Sequence, residues 1–204
     1  MGHLREYTLL TPNSQRNTSR LKSIFLDRDG VINEDRADYV KNVSELRIFS
    51  CAPPAIRRLN DAGYQVIVVS NQQGVAKGIV SWEDLRRLQD EIDRSLDEVG
   101  ARIAAYYYCT HSADEGCLCR KPKPGMLTQA ASEHDIDLGS TFMIGDAERD
   151  LIAGSEAGCR TILVLSGHTR RNEVDNLICK PDFVADDLAM AVDYLLSEVL
   201  RTAR

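Results

Sequence analysis

The chain has no run near the roughly 20 consecutive apolar residues that a membrane-spanning helix needs. Its opening, MGHLREYTLLTPNSQRNTSR, lacks the apolar stretch of a secretory signal. Gly2 is followed at position 6 by Glu6, where N-myristoylation wants Ser or Thr, so that motif is missing too. Basic charge is not in excess: 25 Lys and Arg stand against 31 Asp and Glu, a formal net charge of −6. That balance argues against a nucleic-acid partner, because grasping a phosphate backbone takes clustered Lys and Arg on one face. A local basic pocket remains open. There is no internal repeat and no low-complexity tract. The expectation from these absences is a cytoplasmic monomer without nucleic-acid or membrane partners.

What is present is ordinary globular material: 204 residues, 43% of them hydrophobic and 27% charged, enough for one core. Residues 1–20 are polar and without periodicity and are expected to form an N-terminal tail, leaving 21–204 as one domain. KSIFL at 22–26 and QVIVVS at 65–70 are short apolar runs that stop abruptly at DRDG and NQQG, as buried strands do at polar loops. Between them PPAIRRLNDAG carries Pro53 and Pro54 near the start of a helix and Gly63 past its end. Ser81 is placed to cap a second helix with an apolar stripe of Trp82, Leu85, Leu88, Ile92, Leu96 and Val99. Strands near 103–108, 141–145, 161–165 and Phe183 then alternate with helices near 125–134, 148–157 and 187–200. Such alternation predicts an α/β fold with a mostly parallel sheet covered on both faces. Ligands in such folds sit outside the carboxyl ends of the strands. Asp27, Ser70 and Asp146 each fall at or just past such an end.

In FLDRDGVIN, Asp27 and Asp29 are two residues apart, so extended geometry aims both carboxylates the same way. Two like charges in one small site call for a cation, and hard oxygen donors suit Mg²⁺. Asp146 of GDAERD brings another carboxylate to the same edge, and Asp150, one turn on, either holds that loop or reaches the metal through water, the supporting role being the favoured one. A phosphate dianion approached by a carboxylate needs compensating positive charge and aligned donors; Mg²⁺, Lys121 and the Ser70 hydroxyl are the candidates. Attack by Asp27 gives an aspartyl phosphate, with Asp29 as acid and then base. A lone DRDG is more simply a tight turn, but four elements in one order at strand ends favour the chemistry.

Six cysteines in a reducing compartment do not suggest disulfides. Cys109, His111, Cys117 and Cys119 are three thiolates and an imidazole within eleven residues, a closed tetrahedral set suited to structural Zn²⁺ in a loop spanning 109–119. The alternatives are plain reduced cysteines or a zinc-ribbon module. Cys51, Cys159 and Cys179 read as small core hydrophobes.

The segments LDRDGVIN, VVSNQQG, RKPKPG and MIGDAERD resemble the four motifs of the haloacid dehalogenase superfamily over about residues 22–165. The resemblance implies a Rossmann-like sheet without a large cap domain. It also implies Asp27 as nucleophile, Asp29 as acid/base, Ser70 and Lys121 on the phosphoryl group, and Mg²⁺ held by Asp27, Asp29 and Asp146. The CxH…CxC loop running straight into RKPKPG resembles the zinc-bearing phosphatases that act on heptose bisphosphate or histidinol phosphate. YVKNVSELRIF and SNQQGVAKGIVSWEDL are similar to the heptose group, implying a small phosphorylated sugar as substrate, with heptose 1,7-bisphosphate leading. Asp35, Tyr39, Asn71, Gln72 and Gln73 match segments that line the substrate there, Lys77 and Arg120 are the basic candidates for its phosphate, and each also reads as a solvated loop residue. Ala147 departs from the group, which often has a basic residue after the fourth-motif Asp. A histidinol phosphatase and a catalytically silent zinc-stabilised binding protein are the rival readings.

Overall fold

The alternation in the sequence becomes a six-stranded sheet, all parallel, in the order β3-β2-β1-β4-β5-β6, in a computed structural model that describes residues 22–202. The strands are β1 Lys22–Leu26, β2 Tyr64–Asn71, β3 Ala105–Cys109, β4 Phe142–Gly145, β5 Arg160–Val164 and β6 Phe183–Ala185. The helices are α1 Ala52–Asp61, α2 Trp82–Asp97, α3 Gly125–His134, α4 Glu148–Ala157 and α5 Leu188–Thr202. The expected tail at 1–20 lies outside the described residues.

Successive strand residues point to opposite faces, and the core divides accordingly. Ile24 and Leu26 of β1, with Val66 and Val68 of β2, pack against Ile56 and Leu59 of α1, Leu88, Ile92 and Leu96 of α2, and Val192 and Leu195 of α5. Phe25, Ile67 and Val69, the residues between, meet Met126, Leu127 and Ala130 of α3 and Ala153 of α4 on the other face. Both faces are thus covered, as the near-continuous apolar runs of β1 and β2 require. No second sheet is inserted in the long segments after β1 and β2 among the described residues.

Pro53 and Pro54 sit in the first turn of α1, where the missing N–H costs no helical bond. Ser81 caps α2, its hydroxyl accepting the Asp84 N–H at 2.9 Å. The apolar stripe of that helix is narrower than the sequence suggests. Trp82 and Val99 are exposed, because Trp82 opens the first turn and Val99 lies past the last. The third strand begins later than expected, at Ala105, and runs to Cys109, whose carbonyl accepts the Gln72 N–H at 2.7 Å. Of the scattered cysteines only Cys159 is buried; Cys51, at the cap of α1, and Cys179 are half-buried.

The register sets the site. Leu26 lies opposite Val68 on one side and Ile144 on the other. Three adjacent strands, β2, β1 and β4, therefore deliver Ser70, Asp27 and Asp146 to one carboxyl edge.

Candidate active site

Asp27 is the first residue past β1. Its own N–H still donates to the Ile144 carbonyl at 2.9 Å, so its backbone is fixed by the sheet. One carboxylate oxygen, Oδ1, accepts the Arg28 N–H at 2.7 Å, and the other lies 2.9 Å from Lys121 Nζ. The chain then turns sharply, the Arg28 carbonyl accepting the Ile32 N–H at 2.8 Å, with Gly30 at φ +80°. Glycine is required there twice over: the left-handed backbone suits it, and a Cβ would stand 2.2 Å from Asp146 Oδ2.

Lys121 arrives from the segment after the cysteine loop. Its ammonium has three neighbours: Asp27 Oδ2 at 2.9 Å, Asp150 Oδ1 at 2.7 Å and the Val69 carbonyl, to which it donates at 2.8 Å. Burial by itself would lower its pKa, but Asp150 and Asp27 overcome that and hold it raised, so it is a permanent cation. Asn71 fixes the backbone that carries it, donating to the Lys121 carbonyl at 2.9 Å and accepting the Lys121 N–H at 3.0 Å.

Asp146 is fully buried. Its Oδ2 accepts the His168 N–H at 2.6 Å, its carbonyl accepts the Thr169 N–H at 3.0 Å, and its Oδ1 has no hydrogen-bond partner. Burial, then the Asp150 and Asp27 charges, push its pKa up to about 8. Asp150 goes the other way. Burial would raise it, but Lys121, Arg149 and the Ala147 N–H at 3.1 Å together hold it below the usual carboxylate value. Gly145 permits this packing, since a Cβ there would stand 2.2 Å from the Asp150 Cβ.

One carboxylate oxygen each from Asp27, Asp146 and Asp150 lie within 4.8 Å of one another, all three residues buried. Octahedral Mg²⁺ with ~2.1 Å bonds spaces its ligands about 3 Å apart when adjacent and about 4 Å when opposite. Three buried carboxylates served by Lys121 and the half-exposed Arg149, with an oxygen of Asp146 unsatisfied, form a donor set that a divalent cation completes.

Asp29 departs from expectation. Its carboxylate is turned out of this acidic set into donors of its own: Arg28 Nε at 3.2 Å and Nη2 at 2.8 Å on Oδ1, Asn33 Nδ2 at 2.9 Å on Oδ1, and Gln72 Nε2 at 2.8 Å on Oδ2. The chain bends after Asp27, so the two-residue alternation of an extended strand does not carry through. Asp150 occupies the place in the acidic set that the sequence reading gives to Asp29.

Several expected substrate contacts are engaged within the protein. Asn71 holds Lys121, and Gln72 bridges Asp29 and the Ser70 hydroxyl, the latter at 3.1 Å. Gln73 accepts from Arg120 at 3.1 Å, and Lys77 donates to the Tyr39 hydroxyl at 2.8 Å. Asp35 is exposed, within electrostatic reach of Asp29 and Arg149. Arg28, Asn33, Arg149 and the turn at 166–169 also belong to the site, beyond the residues expected from the sequence. Arg149 was legible as a cation three residues past Asp146, and the turn as the loop at the carboxyl end of β5. Arg28 carried no comparable signal.

The second cluster lies in the loop before Lys121. His111 Nδ1 is 3.2 Å from Cys119 Sγ and 3.7 Å from Cys109 Sγ, and Cys117 Sγ is 3.5 Å and 3.7 Å from the same two sulfurs. Four ligands at ~2.0–2.3 Å from a tetrahedral ion stand about 3.5–3.8 Å apart, so these are nearly the edges of a zinc tetrahedron. The Cys109 thiol is pulled down to about 5, chiefly by the hydrogen bond from Cys119, whose own pKa is driven up by the same bond. Lys123 donates to the Gly116 and Cys117 carbonyls at 2.8 Å and 2.7 Å, and a Cβ on Gly125 would stand 2.3 Å from the Leu118 carbonyl oxygen. The loop is thereby pressed onto the start of α3.

Among the described residues no helix is long and apolar enough to cross a membrane. A family model described as HAD-hydrolase-like matches residues 118–191. D-glycero-beta-D-manno-heptose-1,7-bisphosphate 7-phosphatase of Bordetella bronchiseptica is 37% identical over 178 residues, covering 87% of this chain and 99% of the relative. D-glycero-alpha-D-manno-heptose-1,7-bisphosphate 7-phosphatase of Photorhabdus laumondii is 34% identical over 168 residues, covering 78% of this chain and 91% of the relative. The crystal structure of the B. bronchiseptica D,D-heptose 1,7-bisphosphate phosphatase with magnesium and phosphate superposes with a TM-score of 0.82, over 87% of this chain and 99% of that one. With that identity along nearly the whole of such relatives, and the sheet order and site described above, the chain belongs to the heptose 1,7-bisphosphate 7-phosphatase family of the haloacid dehalogenase-like hydrolases and is a phosphatase.

Proposed function

We propose that this chain removes the 7-phosphate of D-glycero-D-manno-heptose 1,7-bisphosphate through an aspartyl phosphate on Asp27. The observation that carries the reading is the Asp27 carboxylate, buried and fixed by the sheet, 2.9 Å from a Lys121 ammonium that is itself anchored to Asp150. Asp27 Oδ attacks phosphorus, and the sugar oxygen leaves with the electron pair of the broken P–O bond and a proton from Asp29. Water then attacks the aspartyl phosphate, gives its proton to Asp29, and releases inorganic phosphate from a regenerated Asp27. Lys121 and the Ser70 hydroxyl hold the phosphoryl oxygens throughout. Asp27, Asp146 and Asp150 would hold Mg²⁺, which when bound neutralises charge that the carboxylates and the phosphate share. Cys109, His111, Cys117 and Cys119 would hold Zn²⁺, whose role is to order the loop that delivers Arg120 and Lys121. Arg120, Lys77 and Arg149 offer the cationic rim that a second phosphate needs, with Tyr39, Asp35 and Gln73 beside them.

A phosphate-release screen over sugar bisphosphates, sugar monophosphates and histidinol phosphate, with and without Mg²⁺, tests the reading. The heptose bisphosphate should give the highest kcat/KM, only with Mg²⁺, and Asp27→Asn should abolish it. An equal or better rate on histidinol phosphate would remove the substrate assignment.

A further inference from the structure

Arg28 is a charged side chain that the mechanism above does not use, and it is almost completely buried at 1% exposure. Burying a guanidinium is costly unless it is paired, and one of its nitrogens, Nη1, has no hydrogen-bond partner. What it does have is Asp29. Nε and Nη2 reach Oδ1 at 3.2 Å and 2.8 Å, and Nη2 also reaches Oδ2 at 2.9 Å. With the Asn33 amide, also on Oδ1, the fork pins that oxygen from three sides. Oδ2, which Nη2 also reaches, accepts from the Gln72 amide at 2.8 Å, and the same amide touches the Ser70 hydroxyl at 3.1 Å.

We infer that Arg28 is a positioning residue for proton transfer: its buried fork fixes Asp29 so that Oδ2 faces the reacting group. This rests on the proposed roles of Asp27 and Asp29. In the first step Asp29 gives its proton to the departing sugar oxygen as the P–O bond breaks. In the second it takes a proton from the water whose oxygen bonds to phosphorus while the Asp27–phosphorus bond breaks. An ester whose leaving group is already a stable anion, such as p-nitrophenyl phosphate, does without the first transfer but still needs the second. A general acid–base contribution is worth roughly 10²–10⁴-fold.

The test is stopped-flow turnover of p-nitrophenyl phosphate, alongside the sugar phosphate, by the Mg²⁺- and Zn²⁺-loaded wild type, Arg28→Met and Arg28→Lys. For both variants the expected result is a burst of about one nitrophenolate per active site at a nearly wild-type rate, then turnover slowed on the order of 10²-fold. The sugar phosphate should show no burst and a slowed first step. Arg28→Lys keeps the charge and guards against a variant that does not fold, yet a lysine cannot form the fork. Equal slowing of burst, steady state and both substrates would mean a purely structural role and overturn the proposal, as would wild-type turnover in Arg28→Lys. A trapped phosphoenzyme in Asp29→Asn shows that the underlying mechanism stands whatever Arg28 does. Its absence from every variant and from the wild type would bring down the mechanism and this inference together.

Discussion

Replacing Lys121 by Met asks how much the buried carboxylates depend on the fully buried cation between Asp27 and Asp150. Methionine has nearly the length of lysine and fills the same channel, so packing is largely kept and the charge is lost. The ammonium touches Asp27 at 2.9 Å, Asp150 at 2.7 Å and the Val69 carbonyl at 2.8 Å, with no exposure to solvent, so all three acceptors lose their partner together. Removing one partner of a buried pair costs about 3–5 kcal/mol, because the remaining charge stays out of water. For a domain of this size each kcal/mol moves Tm by roughly 2–4 °C, giving a drop of about 6–20 °C. Calorimetry in EDTA at pH 7.5 measures it directly. Mg²⁺ should then raise the Tm of the variant more than that of the wild type, because more unneutralised carboxylate awaits it. Turnover should stay absent even in Mg²⁺, as the phosphoryl group has lost its fixed cation. A variant that melts within about 2 °C of the wild type in EDTA would show that the carboxylates are neutralised by other means and refute the electrostatic argument.

Four further outcomes follow from the same contacts. Asp146, pushed up to about 8 by burial and by its acidic neighbours, binds its proton more tightly folded than unfolded. Metal-free protein should therefore lose stability as pH rises from about 5 to 8, and saturating Mg²⁺ should flatten that slope; a Tm that climbs over this window in EDTA contradicts the assignment. Gly167→Ala places a Cβ 2.1 Å from Asp146 Oδ2, so Mg²⁺ affinity by calorimetric titration should fall tenfold or more, on the order of 1.4 kcal/mol; unchanged affinity would mean that the carboxylate shifts freely. Asn71→Ala should lower kcat several-fold with little change in KM, since its amide holds Lys121; a rise in KM alone would restore it as a substrate contact. Zinc analysis should find one ion per chain, and chelation should free the Cys109, Cys117 and Cys119 thiols and lower both Tm and activity; full activity with those thiols reactive would detach the loop from Lys121.

The elements of this protein were legible in its sequence because each rests on local physics. The apolar runs at 22–26 and 65–70 can be satisfied only by burial on both faces of a parallel sheet, and a polar break at the end of each marks the edge where ligands gather. The four zinc-type ligands were equally legible, since three thiolates and an imidazole within eleven residues make up a complete tetrahedral set. What tertiary structure alone decided is which side chains are spent on one another. The bend after Asp27 sends Asp29 to Arg28, Asn33 and Gln72, and the close approach of α4 over Gly145 brings Asp150 into the acidic set in its place. Asn71 looks from sequence like a free polar group beside a substrate, yet it is closed onto the Lys121 backbone fifty residues away. Spacing along a chain fixes the direction of a side chain only while the backbone stays regular. Beyond the strand ends its partners depend on which loops meet, and that is a property of the whole fold.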